Sequence, residues 1–229
     1  MRLLAIIPAG GKGTRSGFNL PKQYLKIKGK ELIVYTLEVF QKNRSVDEII
    51  IAADPFYFNL LYKLKKKYSI SKLNLLVDAG KERQNSVYNG LISLSASEND
   101  LILVHDAVRP LLPASVLSNA IKIAKEKGNA IVCIKAKDTL IHSKALVEKY
   151  IDRDNVWYVQ TPQIFKYSVL KIAMNNAIKD TFNGTDESML VQRLNHKISI
   201  VEGSVFNFKV TSKEDIKFLI KLVSSPHNN

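Results

Sequence analysis

The chain has 229 residues, long enough for one α/β domain with a sizeable core. Lysine and arginine outnumber aspartate and glutamate by 34 to 21, and the net charge of +13 suits nucleic acid, an anionic membrane surface or a small polyanion without selecting among them. No single-stranded-RNA signature, zinc-finger spacing or run of ~18 apolar residues is present, and the single cysteine, Cys133, excludes an intrachain disulfide and reads as a buried structural thiol.

The first element is the apolar run from Leu3 to Ile7, with the length and β-branched content of a buried strand. It breaks directly into Gly10, Gly11 and Gly13, without the cleavage region of a signal peptide, so the expected compartment is the cytoplasm. Four of the ten glycines fall between positions 10 and 17, threaded with Lys12 and Arg15 and followed by Lys22. Close backbone approach and nearby cations suit a polyphosphate. The generic phosphate loops do not fit: the third glycine of a dinucleotide fingerprint is Ser16 here, Pro21 interrupts soon after, and no Walker A string exists.

Downstream, Glu31 to Lys42 reads as a helix with Ile33, Leu37 and Phe40 on one face, and Glu48 to Ala53 as a second strand. Asp54-Pro55 is a cap followed by proline, opening a helix through Leu60, Leu61, Leu64 and Tyr68. Leu73 to Val77 is a third strand, Arg83 to Leu94 a helix, Leu101 to His105 a fourth strand, and Ala114 to Lys127 a helix closed by Gly128 before the strand Ala130 to Lys135. This alternation predicts a Rossmann-like α/β fold: a mostly parallel sheet with helices on both faces and ligands at the carboxyl ends of the strands. Gly80, Arg83, Asp106 and Arg109 all fall at such ends.

From 137 to 155 the alternation lapses into a polar excursion of the same single domain, where Thr139 to His142 and Lys149 to Ile151 can pair as a projecting hairpin. Strand Val156 to Gln160, helices Lys166 to Asn176 and Asp186 to Leu194, and strands Ile198 to Glu202 and Phe206 to Val210 follow. Thr211-Ser-Lys-Glu214 is a capping-box string opening the last helix, and the tail from Ser224 is expected to fray.

Several polar residues carry two readings. Asp106 closes a strand where a carboxylate reaches a ribose hydroxyl, a metal ion or a phosphosugar hydroxyl, or else pairs structurally with Arg109. Thr185-Asp186-Glu187-Ser188 precedes a helix as an N-cap or a substrate contact. Lys209 is either a solvated strand lysine or a phosphate ligand. His105 reads as structural, because a phosphomonoester oxygen is already anionic at neutral pH. The four histidines are scattered without zinc-ligand spacing.

Taken together, Pro8-Ala-Gly-Gly-x-Gly-x-Arg15, then Pro21-Lys22-Gln-Tyr-Leu, Asp106-Ala-x-Arg109-Pro, Gln160-Thr161-Pro-Gln-x-Phe165 and Asn207-x-Lys209-Val-Thr211 resemble the sugar-phosphate nucleotidylyltransferases, in the cytidylyltransferase branch. The resemblance runs from Pro8 to Thr211. It implies that Arg15 and Lys22 are catalytic, stabilising charge on the α-phosphate of CTP and the leaving pyrophosphate. The nucleotide would be bound by Pro8, Ala9, Gly10, Gly11, Gly13, Gly80, Ser86 and Asp106, with backbone and the Ser86 hydroxyl reading cytosine. A sugar-alcohol phosphate would meet Arg109, Thr161, Thr185 and Lys209. Mg²⁺ or another divalent cation would ride mainly on the CTP phosphates, with Asp106 its candidate protein ligand.

In relatives the hairpin swaps onto a neighbouring subunit, which implies a homodimer with Thr139 and Arg153 delivered across the interface. The acceptor implied is 2-C-methyl-D-erythritol 4-phosphate, of non-mevalonate isoprenoid synthesis; ribitol 5-phosphate is the rival, and Thr185-Asp186-Glu187 favours the former. Two positions depart from the pattern: glycine at position 10, where alanine is common, a change expected to be harmless, and Lys81, where an acidic residue can occur. A basic RNA-binding module is the non-catalytic alternative; neither nucleic acid nor membrane is the expected partner.

Overall fold

In the computed structural model, residues 1–11 and 20–224 are described. Strand β1 (Leu3–Pro8) leads through a small hairpin, β2 (Lys26–Ile27) and β3 (Lys30–Glu31), into α1 (Leu32–Lys42), β4 (Glu48–Ala53), α2 (Phe58–Lys67) and β5 (Leu73–Asp78). Helix α3 (Arg83–Ile92), β6 (Leu101–Val104), α4 (Ala114–Lys127) and β7 (Asn129–Lys135) continue the alternation. A second hairpin, β8 (Leu140–Ser143) and β9 (Val147–Ile151), precedes β10 (Trp157–Lys166), α5 (Tyr167–Lys179), α6 (Glu187–Gln192), β11 (Ile200–Glu202) and α7 (Lys213–Ser224).

Seven strands form one sheet in the order β11-β7-β10-β6-β1-β4-β5. β1 pairs in parallel with both β4 and β6, β4 with β5, and β11 with β7; only β10 runs antiparallel, between β6 and β7. The chain therefore leaves β1 toward β4 and β5 and returns on its other side at β6. That reversal opens a crevice at the carboxyl end of β1, where doubly wound sheets bind ligands.

Side-chain alternation explains the layers. Leu3, Ala5 and Ile7 of β1 join a core with Leu37, Phe40, Leu61, Leu64 and Leu117 from α1, α2 and α4. Leu4 and Ile6 point the other way, to Val87, Leu91, Leu170, Met174 and Leu190 from α3, α5 and α6. Each such fully buried aliphatic side chain contributes roughly 1.5–3 kcal/mol over exposure, which pins the register of the central strand. A third cluster seats α7, through Ile216 and Leu219, on Ile27, Leu32, Val108 and Val210.

Local chemistry sets the boundaries. Asp54 accepts from the Phe56 amide at 3.0 Å, capping a 3-10 turn, Pro55–Tyr57, that runs into α2. Gly128 ends α4 at φ +81°, a left-handed conformation glycine adopts freely. The β2–β3 hairpin, absent from the sequence reading, turns on Lys28 and Gly29, both at positive φ as a two-residue hairpin turn requires.

Three expectations are corrected. Phe206 to Val210 is not a strand: it is a turn and extended segment whose backbone bonds to the segment after β6 through Val210 N–H and the Val108 carbonyl at 2.9 Å, without a ladder. Its apolar residues alternate because Val210 seats α7, not because they line a sheet. The strand placed at Val156 to Gln160 extends to Lys166, with an irregularity between Val159 and Gln163 that lets it pair on both sides. The cap of α7 is Ser212 with Asp215, whose amide donates to Ser212 Oγ at 3.1 Å, rather than Thr211 with Glu214. Asp215 in turn accepts from the amides of Thr211 and Ser212, which together hold its carboxyl below its ordinary pKa against the opposing effect of burial.

The hairpin β8–β9 pairs Leu140 with Ile151 and Ile141 with Tyr150 and forms a sheet of its own. Ile141, Leu146, Val147 and Tyr150 are all exposed on it.

Candidate active site

A cleft of about 820 Å³ opens where the strand order reverses. Each parallel strand around the reversal contributes the segment that follows it: Pro8 to Gly11 after β1, Asp54 and Pro55 after β4, Ala79 to Arg83 after β5, and Asp106 to Val108 after β6. Lys22 and Gln23 enter from the turn before β2, and Lys209 and Thr211 from the segment before α7. The cleft thus gathers Pro8, Ala9, Gly10, Gly11, Lys22, Gly80, Ser86, Asp106 and Lys209 among the residues singled out in the sequence. Gly13 and Arg15 lie outside the described residues.

At one end the backbone is packed too tightly for side chains. A Cβ built on Gly10 would stand 2.3 Å from Cβ of Ala79, and one on Gly80 would stand 2.2 Å from Cβ and 2.8 Å from the carbonyl carbon of Asn85. Real Cβ atoms do not approach so closely, so glycine fits at position 10 of this chain, and an alanine there would displace Ala79. Ser86 lies beneath, its Oγ accepting from the Gly80 amide and donating to the Glu82 carbonyl, each at 3.1 Å. Buried Gln23 donates to the carbonyls of Ala9 at 2.6 Å and Gly11 at 2.9 Å. That residue ties the Pro-Lys-Gln segment to the glycine loop and accounts physically for their occurring as a pair in the sequence.

At the other end is a charge network. Asp106, 6% exposed, accepts from Arg83 Nε at 3.0 Å on one oxygen and from Arg109 Nε at 3.4 Å and Lys209 Nζ at 3.1 Å on the other. Burial would raise the Asp106 pKa, but the Arg83, Lys209 and Arg109 cations outweigh it and hold the carboxyl far below the usual carboxylate range. Arg83 also donates to both oxygens of Glu187, at 2.7 and 3.1 Å. Burial alone would lower the Arg83 pKa; Glu187 and Asp106 instead hold it above the ordinary arginine value. Burial pushes the Glu187 carboxyl up, with Arg83 opposing, and two N–H donors on two separate oxygens are the geometry of an ionised pair. Burial lowers the Arg109 pKa while Asp106 opposes, and Arg109 Nη1 donates to the Asn207 carbonyl at 2.7 Å.

His105 is fully buried, and burial lowers its pKa to about 4, so it is neutral near pH 7. Its Nε2 lies 3.1 Å from the Arg109 carbonyl, which only accepts, so Nε2 carries the proton. Nδ1 then accepts from Thr161 Oγ1 at 3.0 Å, and the Asp106 amide donates to that same oxygen at 3.1 Å. A structural role for His105 is what this geometry describes: it orders the backbone that carries Asp106.

The remaining sequence candidates are placed away from the cleft wall. Thr161 and Arg109 stand behind Asp106 with their polar atoms engaged by it and its neighbours. Thr185 is exposed before α6, where Asp186 caps the helix by accepting from the Met189 amide at 2.9 Å. Thr139 and Arg153 are exposed at the base of the β8–β9 arm, and Arg153 donates to the Lys137 carbonyl at 2.9 Å. Residues the sequence reading did not assign to the site are Gln23, Asp54, Glu187 and Asn207; the carbonyl of Asn207 holds Arg109, and its side chain donates to the Thr161 carbonyl at 2.7 Å. Of these, Gln23, Asn207 and Glu187 lay inside strings already singled out, Pro21-Lys-Gln, Asn207-x-Lys209 and Thr185-Asp-Glu187-Ser, whereas Asp54 read only as a cap.

For a divalent cation, Asp106 is the one sequence candidate, and both its oxygens already serve three cationic side chains. Among the described residues no three His, Cys, Asp or Glu side chains group as metal ligands. The donors present do not by themselves make a resident Mg²⁺ site.

A glycine loop at the strand switch point thus faces a lysine–carboxylate cluster across the cleft, at the place where open α/β sheets bind their ligands. The family model for 2-C-methyl-D-erythritol 4-phosphate cytidylyltransferase matches residues 3–221. Proteins of that name from Geotalea uraniireducens and Geobacter metallireducens are 38% and 39% identical over 219 and 221 residues, covering 94% of this chain and 94% and 95% of theirs. Among solved structures, the 4-diphosphocytidyl-2C-methyl-D-erythritol synthase from Anaerococcus prevotii superposes with a TM-score of 0.85 at 27% identity, covering 98% of this chain and 96% of that one. The 2-C-methyl-D-erythritol 4-phosphate cytidylyltransferase from Thermus thermophilus superposes at 0.81 and 27% identity, covering 98% and 100%. The chain belongs to the 2-C-methyl-D-erythritol 4-phosphate cytidylyltransferase family.

Proposed function

We infer that the cleft transfers the cytidylyl group of CTP to 2-C-methyl-D-erythritol 4-phosphate, giving 4-(cytidine 5′-diphospho)-2-C-methyl-D-erythritol and pyrophosphate in non-mevalonate isoprenoid synthesis. The observation that carries this, beside family membership, is the meeting of the glycine loop and the Asp106–Lys209 cluster in one cleft. The ribitol phosphate alternative has no observation in its favour.

An acceptor phosphate oxygen forms a bond to the α-phosphorus while the bond to the β-phosphate bridging oxygen breaks, its electron pair leaving on pyrophosphate. No proton need move, which fits a His105 that is neutral and sealed from the cleft. The barrier is repulsion among anions, so cations and positioning dominate. Amides around Gly10, Gly11 and Gly80 and the oxygen of Ser86 hold the nucleotide, and the tight packing at Gly10 and Gly80 lets backbone approach a flat pyrimidine. Lys22, with Arg15 by family resemblance, neutralises charge at the α-phosphate and pyrophosphate. Lys209 and Asp106 meet the acceptor, its phosphate and hydroxyls respectively. A divalent cation would be held by CTP more than by this chain and would supply charge neutralisation at the phosphates.

The functional unit in this reading is a cytoplasmic homodimer. The β8–β9 arm exposes apolar side chains, carries Thr139 and Arg153 at its base and has little core of its own, which supports its docking on a second copy. Among the described residues no helix is long and apolar enough to cross a membrane. Phosphorus NMR of protein incubated with CTP, Mg²⁺ and the acceptor tests the reading directly. New diphosphate resonances with free pyrophosphate are expected; unchanged CTP would contradict it.

A further inference from the structure

Glu187 is 1% exposed, stands outside the cleft lining, and yet its partner Arg83 is part of that lining. The guanidinium spans the wall between them: Nη1 and Nη2 face Glu187 at 2.7 and 3.1 Å, and Nε faces Asp106 Oδ1 at 3.0 Å. Because the group is planar and rigid, fixing two nitrogens fixes the direction of the third. The other Asp106 oxygen is shared by Arg109 and Lys209, so Arg83 sets the orientation of the first.

The segment that carries Glu187 is itself clamped. Gln84, next to Arg83 on α3, accepts from the Gly184 amide at 2.7 Å and donates to the Phe182 carbonyl at 3.0 Å. Gln163 of β10 accepts from the Ser188 amide at 2.8 Å and donates to Asp186 at 3.1 Å. Glu187 is therefore held from two sides, one of them the helix that bears its partner.

We propose that Glu187 is a positioning residue for the transfer, which turns Arg83 away from incoming phosphates and makes it a strut that aims Asp106 at the acceptor. The proposal rests on the reading of the cleft given above. An arginine lining a polyanion site binds phosphate when its charge is uncommitted; here two of its nitrogens are committed to a buried carboxylate, leaving Nε for Asp106. The cytosine end, at Gly10, Gly80 and Ser86, shares no hydrogen bond with Glu187.

Steady-state kinetics of the full chain with CTP, Mg²⁺ and 2-C-methyl-D-erythritol 4-phosphate test this, using E187Q, R83Q and the double variant, with thermal unfolding confirming each folded at the assay temperature. Glu187→Gln is expected to lower kcat/KM for the acceptor about tenfold, with a raised acceptor KM and a CTP KM within about twofold of wild type, as for a misplaced positioning group. Added to Arg83→Gln it should cost less than about twofold more, since Glu187 acts only through Arg83. The double variant replaces the ion pair by two amides able to hydrogen-bond each other, and it carries the test if E187Q alone does not fold: an equally raised acceptor KM in R83Q and R83Q/E187Q supports the proposal.

A wild-type acceptor KM in folded E187Q or in R83Q would overturn it, as would a full additional loss in the double variant. Loss confined to kcat in proportion to unfolded protein would also overturn it. An active wild type with unaffected variants removes the proposal alone; an inactive wild type removes the reading of the cleft as well.

Discussion

The amide of Asp106 donates to Thr161 Oγ1 at 3.1 Å, so a threonine 55 residues away along the chain sets the backbone that presents the cleft carboxylate. Thr161 Oγ1 in turn donates to His105 Nδ1, and His105 anchors through Nε2 on the Arg109 carbonyl. Thr161→Val leaves the buried amide without an acceptor and should cost about 1–3 kcal/mol of stability, with Thr161→Ser close to wild type. Urea unfolding of the two variants measures the difference; a loss in Thr161→Ser with Thr161→Val near wild type would place the cost in the methyl group instead of the hydroxyl.

His105 gives a pH dependence of definite sign. Its folded pKa is about 4 against 6.5 for an ordinary histidine, because burial disfavours the charge. Between those values the unfolded chain binds a proton that the folded chain does not, so stability falls as pH falls from 6.5 toward 4, by up to about 3 kcal/mol. Asp106, whose folded pKa is depressed, stabilises the fold above the unfolded carboxylate value of about 4 and loses that contribution below it, in a separate window. Unfolding free energies at intervals from pH 4 to 7 should slope upward with pH, and His105→Gln should flatten the slope; an unchanged slope would assign it to other groups.

Packing at Gly10 predicts a rescue. Gly10→Ala brings Cβ to within 2.3 Å of Ala79 Cβ and should weaken CTP binding and cost roughly 1–3 kcal/mol of stability. Ala79→Gly removes the atom that is struck, so the double variant should recover most of both. Calorimetric titration with CTP and thermal unfolding report the two effects, and a double variant as weak as Gly10→Ala would show that the clash lies elsewhere.

The arm yields a prediction about assembly. Tyr150 is exposed on β9, and the homodimer reading places it against a second copy. Tyr150→Glu should shift sedimentation toward the monomer and lower activity in parallel, with Arg153→Ala lowering activity while leaving the dimer. A fully active monomer would contradict composite sites.

Local signals made much of the fold legible. The unbroken apolar run at Leu3 marks a strand buried on both faces, Asp54-Pro55 a helical start, and Gly128 a stop, because each acts within a few residues. Gly80 and Asp106, by their strand-end positions, and Lys22 and Lys209, by their motifs, were singled out in the sequence, and all four line the cleft. What the sequence hid was long-range. Arg83 and Glu187 meet across 104 residues, and no spacing encodes a partner so distant. Arg109 and Thr161 read as substrate ligands from their motifs, whereas their observed partners are Asp106, Asn207 and His105. Phe206 to Val210 read as a strand because Phe208 and Val210 alternate with Lys209, yet those two apolar residues pack with α7 while Lys209 turns to Asp106.

Pyrophosphate release with CTP and Mg²⁺, comparing 2-C-methyl-D-erythritol 4-phosphate with ribitol 5-phosphate and using Lys22→Ala as the control, tests the central claim most directly. Release with the first acceptor, absent with the second and lost in Lys22→Ala, is the predicted result; release with ribitol 5-phosphate alone, or with neither acceptor, would contradict it.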